Sequence, residues 1–124
     1  MTTDTKAAQT YTINAAGMKI GRVASDAAKA LMGKKSAQYV PHIDSGASVT
    51  ITNAAKLHIT EKKRVQKIYT HYSQYPGGLK NESLGNLLKR KGQGHAAVLR
   101  RAIERMMPRN TLRVARMKRL KITD

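Results

Sequence analysis

The sequence contains no cysteine, no phenylalanine and no tryptophan. Without Cys there is no disulfide framework, no thiolate metal site and no thiol nucleophile, and a reducing compartment fits that absence. With no Phe or Trp and only five Tyr, the core must come from Ala, Leu, Ile, Val and Met. That favours slim helices packed closely on a small sheet. Acids are scarce too: seven Asp and Glu in 124 residues leave little material for acid–base catalysis. No apolar run approaches the ~20 residues needed to span a bilayer. The start, Met1-Thr2-Thr3-Asp4-Thr5-Lys6, has neither a secretory apolar region nor the Arg-rich pattern of a transit peptide, so a cytoplasmic protein is expected.

What the sequence has in excess is positive charge. Twenty-four Lys and Arg against seven acids give a net charge of +17. Such an excess repels itself in the compact state, and a polyanionic partner is the natural explanation. RNA, DNA and an anionic membrane all qualify on charge alone. The distribution is uneven: residues 1–61 hold seven cations and four acids, whereas residues 62–124 hold seventeen and three. The first half reads as scaffold and the second as basic surface.

Length suits one domain, able to bury roughly two-thirds of the surface of its unfolded chain. Residues 1–10 are expected as a flexible N-terminus and 11–124 as a single domain with a basic tail from about 109. Tyr11 and Ile13 alternate with Thr12 and Asn14 as in a short strand, and Gly17 gives a turn. Ile20, Val23, Ala24, Ala27, Ala28, Leu31 and Met32 then follow the spacing of one helical face, ended by Gly33 in a left-handed conformation. Pro41 and Asp44-Ser45-Gly46 break the chain before a strand at Val49 and Ile51. Strand, helix and strand make a βαβ unit with parallel strands and a right-handed crossover. Leu57 and Ile59 suggest another strand, and a further one is expected around Lys67–His71. Pro76-Gly77-Gly78 marks a loop, and Ser83 can cap a short helix through Leu84, Leu87 and Leu88. A helix over His95–Met107 would bury Leu99, Ala102, Ile103, Met106 and Met107, and Pro108 stops it.

The constellations that could carry chemistry are weak. Gly17-Met18-Lys19-Ile20-Gly21 sits between strand and helix, yet it is not G-x-G-x-x-G and no acid follows the second strand to take a ribose hydroxyl. Gly33-Lys34-Lys35 follows a helix instead of preceding one, so its amides do not converge on a phosphate. His42, His58, His71 and His95 lack metal-ligand spacing. His42, Asp44 and Ser45 crowd one turn too tightly for a nucleophile, base and orienter. No catalytic residue, metal or cofactor is expected, and no small-molecule substrate.

The basic groups differ in kind. Lys62, Lys63, Arg64 and Lys67 cluster on an expected sheet edge, and Arg100, Arg101 and Arg105 share a helical surface. Arg109, Arg113, Arg116, Lys118, Arg119 and Lys121 follow with no acid among them. So few opposing acids make simple solvation a poor account, and phosphate neutralisation with counterion release a better one. Tyr69, Tyr72 and Tyr75 lie among these cations and could stack on bases, or simply pack the strand and loop. With so few aromatics, shape and backbone recognition of folded RNA fits better than single-strand reading. The last six cations are too dense to form a core, so residues 109–121 are expected to order only against RNA.

Several segments, taken in order, resemble the large-subunit ribosomal protein L-thirteen family in its bacterial form. They are Ile20-Gly21-Arg22-Val23-Ala24, Leu31-Met32-Gly33-Lys34-Lys35, Tyr39-Val40-Pro41-His42-Ile43-Asp44-Ser45-Gly46 and Ile51-Thr52-Asn53-Ala54. Lys67-Ile68-Tyr69, Tyr75-Pro76-Gly77-Gly78-Leu79-Lys80, Ala102-Ile103, Met106-Met107-Pro108-Arg109-Asn110 and Leu120-Lys121-Ile122 follow. The resemblance spans roughly residues 11–122. It departs at Asn14, where members usually carry Asp, and at Thr60-Glu61 and Arg105-Met106-Met107-Pro108, where many have Thr-Gly and Gly-Met-Leu-Pro.

The resemblance implies a three-layer α/β/α fold around a small, mainly parallel sheet. It also implies a structural protein of the cytoplasmic ribosome that binds folded large-subunit ribosomal RNA, joins assembly early and meets neighbouring large-subunit proteins. It carries Lys34, Lys35, His42, Lys67, Lys80 and Arg109 into the expected RNA-binding set. Lys62, Lys63, Arg64, His71, Arg100, Arg101, Arg105, Arg113, Arg116, Lys118 and Arg119 complete that set. A DNA-binding architectural protein would want a helix-turn-helix or a dimer seam, and neither is present in the sequence. A nucleotide-binding enzyme has only the defective glycine pattern behind it.

Overall fold

The computed structural model describes residues 8–124; the expected flexible N-terminus, residues 1–10, lies outside them at 1–7, and at its other end Thr10 already belongs to a strand. Alternation in Thr10–Asn14 produces β1, and in Ser48–Thr52 it produces β2. The two pair in parallel, Thr10 opposite Ser48 through Asn14 opposite Thr52. Between them runs α1, Ile20–Met32, ended by Gly33 at φ +84°. A side chain there would be strained by the left-handed backbone, and its Cβ would meet Ser45 at 2.6 Å, so glycine is required twice over.

One face of the sheet is apolar. Val49 and Ile51 of β2 are buried, and Tyr11 and Ile13 of β1 pack on the same core. α1 covers that face. Its buried residues, Ile20, Val23, Ala24, Ala27, Ala28, Ala30, Leu31 and Met32, occupy more than half of the helix circumference, because the helix is enclosed on two sides. α4, Gly94–Met106, packs on α1 with Val98, Leu99 and Ile103 buried. Alanines at the contact allow close approach in a core without Phe or Trp. The domain is α/β with a small parallel sheet, as expected. Its second helical layer stands behind α1, while the other sheet face shows Thr10, Thr12, Thr50 and Lys121, exposed or half-exposed.

β3, Ile68–Tyr72, and β4, Leu79–Ser83, form an antiparallel hairpin. Ser83 caps α3, Leu84–Leu88, by accepting the Asn86 amide at 3.3 Å, as the sequence suggests. Other expectations need correction. Leu57 and Ile59 are buried but form no strand; they follow a 3-10 turn, Ala54–Lys56, and the backbone makes one isolated bridge, Lys19 with His58. Lys62, Lys63 and Arg64 lie on α2, Glu61–Gln66, and not on a sheet edge. Met106 is 44% exposed, whereas Met107 is buried.

The largest correction concerns the C-terminal segment, which folds into the domain. Leu112–Lys118 is helix α5, and Leu120–Ile122 is strand β5, which pairs in parallel with β2 on the side opposite β1. Leu120 is buried, and Arg116 is 2% exposed. Asp44 makes this possible. Its Oδ1 accepts from Arg119 at 2.5 Å and faces Arg116 Nε at 3.9 Å, while Arg119 Nε donates to the Ala47 carbonyl at 2.9 Å. Burial by itself raises the Asp44 pKa. The Arg119 hydrogen bond, the Gly46 amide and the charges of Arg119 and Arg116 outweigh it, and the carboxyl is held below its ordinary value.

Candidate nucleic-acid interface

Strand alternation decides what the hairpin offers to α4. Tyr69 lies opposite Glu82, and His71 opposite Lys80, so these four side chains share one face. That face and α4 enclose a cleft of about 460 Å³, lined also by Arg90, Arg101, Glu104, Arg105 and Arg113. Half-buried Tyr69 stands at its centre. The guanidinium carbons of Arg101 and Arg105 lie 5.2 and 5.9 Å from its ring centroid, and Lys67 Nζ lies 5.6 Å away. At these distances the ring quadrupole attracts each cation. The tyrosine thereby holds three like charges together. Burial raises its pKa, although Arg105 and Arg101 pull it down.

The two acids in the cleft do not neutralise it. Glu82 is engaged by Arg90 through two bonds of 2.9 and 3.0 Å, and Glu104 faces Arg113 at 3.9 Å. Lys80, Arg101 and Arg105 have no acid partner among the described residues. The cleft is therefore a concave, partly desolvated surface of net positive charge, suited to an anion with hydrogen-bond acceptors on several sides.

The other expected cations fall into three groups. Lys62 and Lys63 are exposed on α2, and Lys67, which follows that helix, links them to the cleft through Tyr69. Arg64 is set aside by Glu61 at 3.8 Å. Arg113 extends the cleft toward α5, where Arg100 and Lys118 line the next depression and Arg100 donates to the Met117 carbonyl at 3.4 Å. Arg109 is exposed in the turn before α5. Lys34, Lys35 and His42 form a separate group in the loop after α1, with Lys35 5.1 Å from the Tyr11 ring and Lys34 5.9 Å from that of Tyr39. Arg116 is buried and Arg119 is half-buried, and Asp44 holds both against the scaffold.

Sequence reasoning missed Arg90, Glu82 and Glu104, which decide which arginines remain unpaired. The alternation of β3 could have placed Tyr69 and His71 on one face. Pairing with Glu82 required β4, whose Leu79-Lys80-Asn81-Glu82-Ser83 carries too few apolar residues to read as a strand. No group of three His, Cys, Asp or Glu placed to hold a metal occurs among the described residues, and no helix among them is long and apolar enough to cross a membrane.

Fold and surface together define a small basic α/β domain organised around a cationic cleft. The family model described as Ribosomal protein L13 matches residues 8–123. Similar proteins include the large ribosomal subunit protein uL13 of Aeromonas salmonicida, 39% identical over 112 residues, which are 90% of this chain and 77% of the relative. Those of Syntrophus aciditrophicus and Chlorobium phaeobacteroides are 40% and 41% identical over the same share of this chain, covering 77% and 73% of their own lengths. The chain belongs to the ribosomal protein L13 family. Its role is that of a structural ribosomal protein, and it is not an enzyme.

Proposed function

We propose that this protein is a constituent of the large ribosomal subunit that binds folded large-subunit ribosomal RNA, with the hairpin–α4 cleft as the centre of its interface. The observation that carries this reading is the cleft itself, where Lys80, Arg101 and Arg105 converge around Tyr69 while both acids are occupied by other arginines. Lys62, Lys63 and Lys67 extend the surface on one side, and Arg113, Arg100, Lys118 and Arg109 on the other. Lys34, Lys35 and His42 form a second, smaller contact. The family's relatives are named as large-subunit proteins, which supports a place in the cytoplasmic ribosome beside other proteins of that subunit. Binding folded RNA directly through its own domain suits entry early in assembly.

The protein should bind large-subunit ribosomal RNA fragments with log affinity falling linearly against log salt. Arg101→Ala with Arg105→Ala should weaken binding at least roughly tenfold and flatten the salt slope by about two units. Thermal stability, read by circular dichroism, should change little, since both arginines lie at the cleft surface. A double variant with an unaltered slope would move the interface elsewhere.

A further inference from the structure

The alternation that turns Tyr69 and His71 toward α4 turns Ile68 and Tyr72 outward. Tyr72 is 55% exposed, and its cross-strand neighbour Leu79 is 60% exposed. Beyond them the chain turns through Tyr75-Pro76-Gly77-Gly78. The Gly78 amide donates to the Tyr75 carbonyl at 2.9 Å, and Gly77 has φ +74°. Proline second and a left-handed glycine third are the signature of a type II turn. A second bond, Ser73 amide to Gly78 carbonyl at 3.3 Å, closes the loop at its base. Space inside is already used: a Cβ on Gly78 would lie 2.0 Å from Ser73 Oγ. Tyr75, 74% exposed, is thus carried on a backbone with little freedom.

Two exposed tyrosines, Tyr72 at the end of β3 and Tyr75 on the stiff turn beyond it, are costly to leave in water, and their surroundings state what suits them. Residues 62–81 contain no acid, and Lys80 and His71 stand on the other face of the same two strands. A partner here must tolerate cations and offer flat apolar faces. Nucleobases attached to phosphate meet both demands, since every base has a π-face and its backbone is anionic.

We propose that Tyr72, with Leu79 beside it across the strands, and Tyr75 at the turn form a stacking platform for an unpaired base of the RNA whose phosphates occupy the hairpin–α4 cleft. The inference rests on the proposed function and adds a second recognition mode to it. The inner face of the hairpin holds backbone charge, and the outer face and tip select RNA with a base free to leave the helix. Tyr69 takes no part in stacking, because its ring is engaged by Lys67, Arg101 and Arg105.

The test uses the full chain and two RNAs: a large-subunit ribosomal RNA fragment with an internal loop, and a fully paired duplex of equal length. Tyr72→Ala with Tyr75→Ala should weaken binding to the looped fragment roughly tenfold, leave duplex binding unchanged and leave the salt slope unaltered. Tyr72→Phe with Tyr75→Phe should bind like the unaltered protein, because stacking needs the ring and not the hydroxyl. Equal affinity of the alanine variant and the unaltered protein for the looped fragment would overturn the inference. So would a phenylalanine variant as weak as the alanine one. If the alanine variant binds RNA normally but fails to enter reconstituted large subunits, the platform faces a protein and the inference is wrong. In each of those cases salt-dependent binding through the cleft survives. An unaltered protein with no salt-dependent RNA binding would overturn the proposed function as well.

Discussion

Ala28→Glu is expected to destabilise the domain by roughly 3–5 kcal/mol, the usual cost of an uncompensated buried charge. Ala28 is 2% exposed on α1, a helix enclosed between the sheet and α4, so the carboxylate would be taken out of water. Against a total stability of about 5–15 kcal/mol, that is a large share of the margin, and near the lower end of the range it unfolds much of the population. The neighbouring Lys29 is exposed in the last turn of the same helix. Lys29→Glu should cost only about 1 kcal/mol, through the reversed interaction with the helix dipole. Urea denaturation followed by circular dichroism measures both. Equal losses at the two positions would contradict the placement of α1 between sheet and α4.

Asp44→Asn should be nearly as damaging, by about 3 kcal/mol at neutral pH, because it leaves Arg116 buried without its counter-charge. The pH dependence gives a sharper check. The folded-state pKa of Asp44 is depressed. Its contribution is therefore fully present above the ordinary carboxylate pKa and is lost as pH falls through the folded-state value. The stability difference between the unaltered protein and Asp44→Asn should be largest near neutrality and shrink in strong acid. A difference independent of pH would mean that the carboxylate charge does not hold the segment. By the same reasoning Arg116→Ala should lower stability while leaving the salt slope of RNA binding unchanged, unlike the cleft arginines.

These two positions also show what could be read from the sequence. Ala28 sits in a segment whose apolar spacing matches one helical face over thirteen residues, between two alternating strands and ahead of a glycine that ends it. Every local signal agrees, so β1, α1 and β2 were legible together. Arg116 lies where cations are dense and apolar residues few, a pattern normally owed to solvent or a polyanion. Its burial depends on Asp44, a partner far along the chain, and no local periodicity reports such a pair. β5, with three residues, and β4, with one apolar side chain, are fixed by the strands they join and not by their own composition. For the site, residue type was informative and assembly was not. Arg101 and Arg105 were visible as surface cations, but their gathering by Tyr69 required the hairpin to fold over α4.

The central position of β2 has a consequence for the order in which the domain forms. On one side its contacts close over a short span: Thr52 Oγ1 donates to the Ile13 carbonyl across 39 positions. On the other, Arg119 reaches Ala47 across 72. Nearly doubling a loop adds only about 0.6 kcal/mol of closure entropy, so the third strand is little penalised at equilibrium. In time it is penalised more, because distant contacts wait on nearer ones. The β1–α1–β2 unit should collapse first, holding an open edge and an unpaired Asp44 until Arg116 and Arg119 arrive. Slowing that last step, by Asp44→Asn or Leu120→Ala, would lengthen the life of an intermediate whose exposed edge invites pairing with another chain.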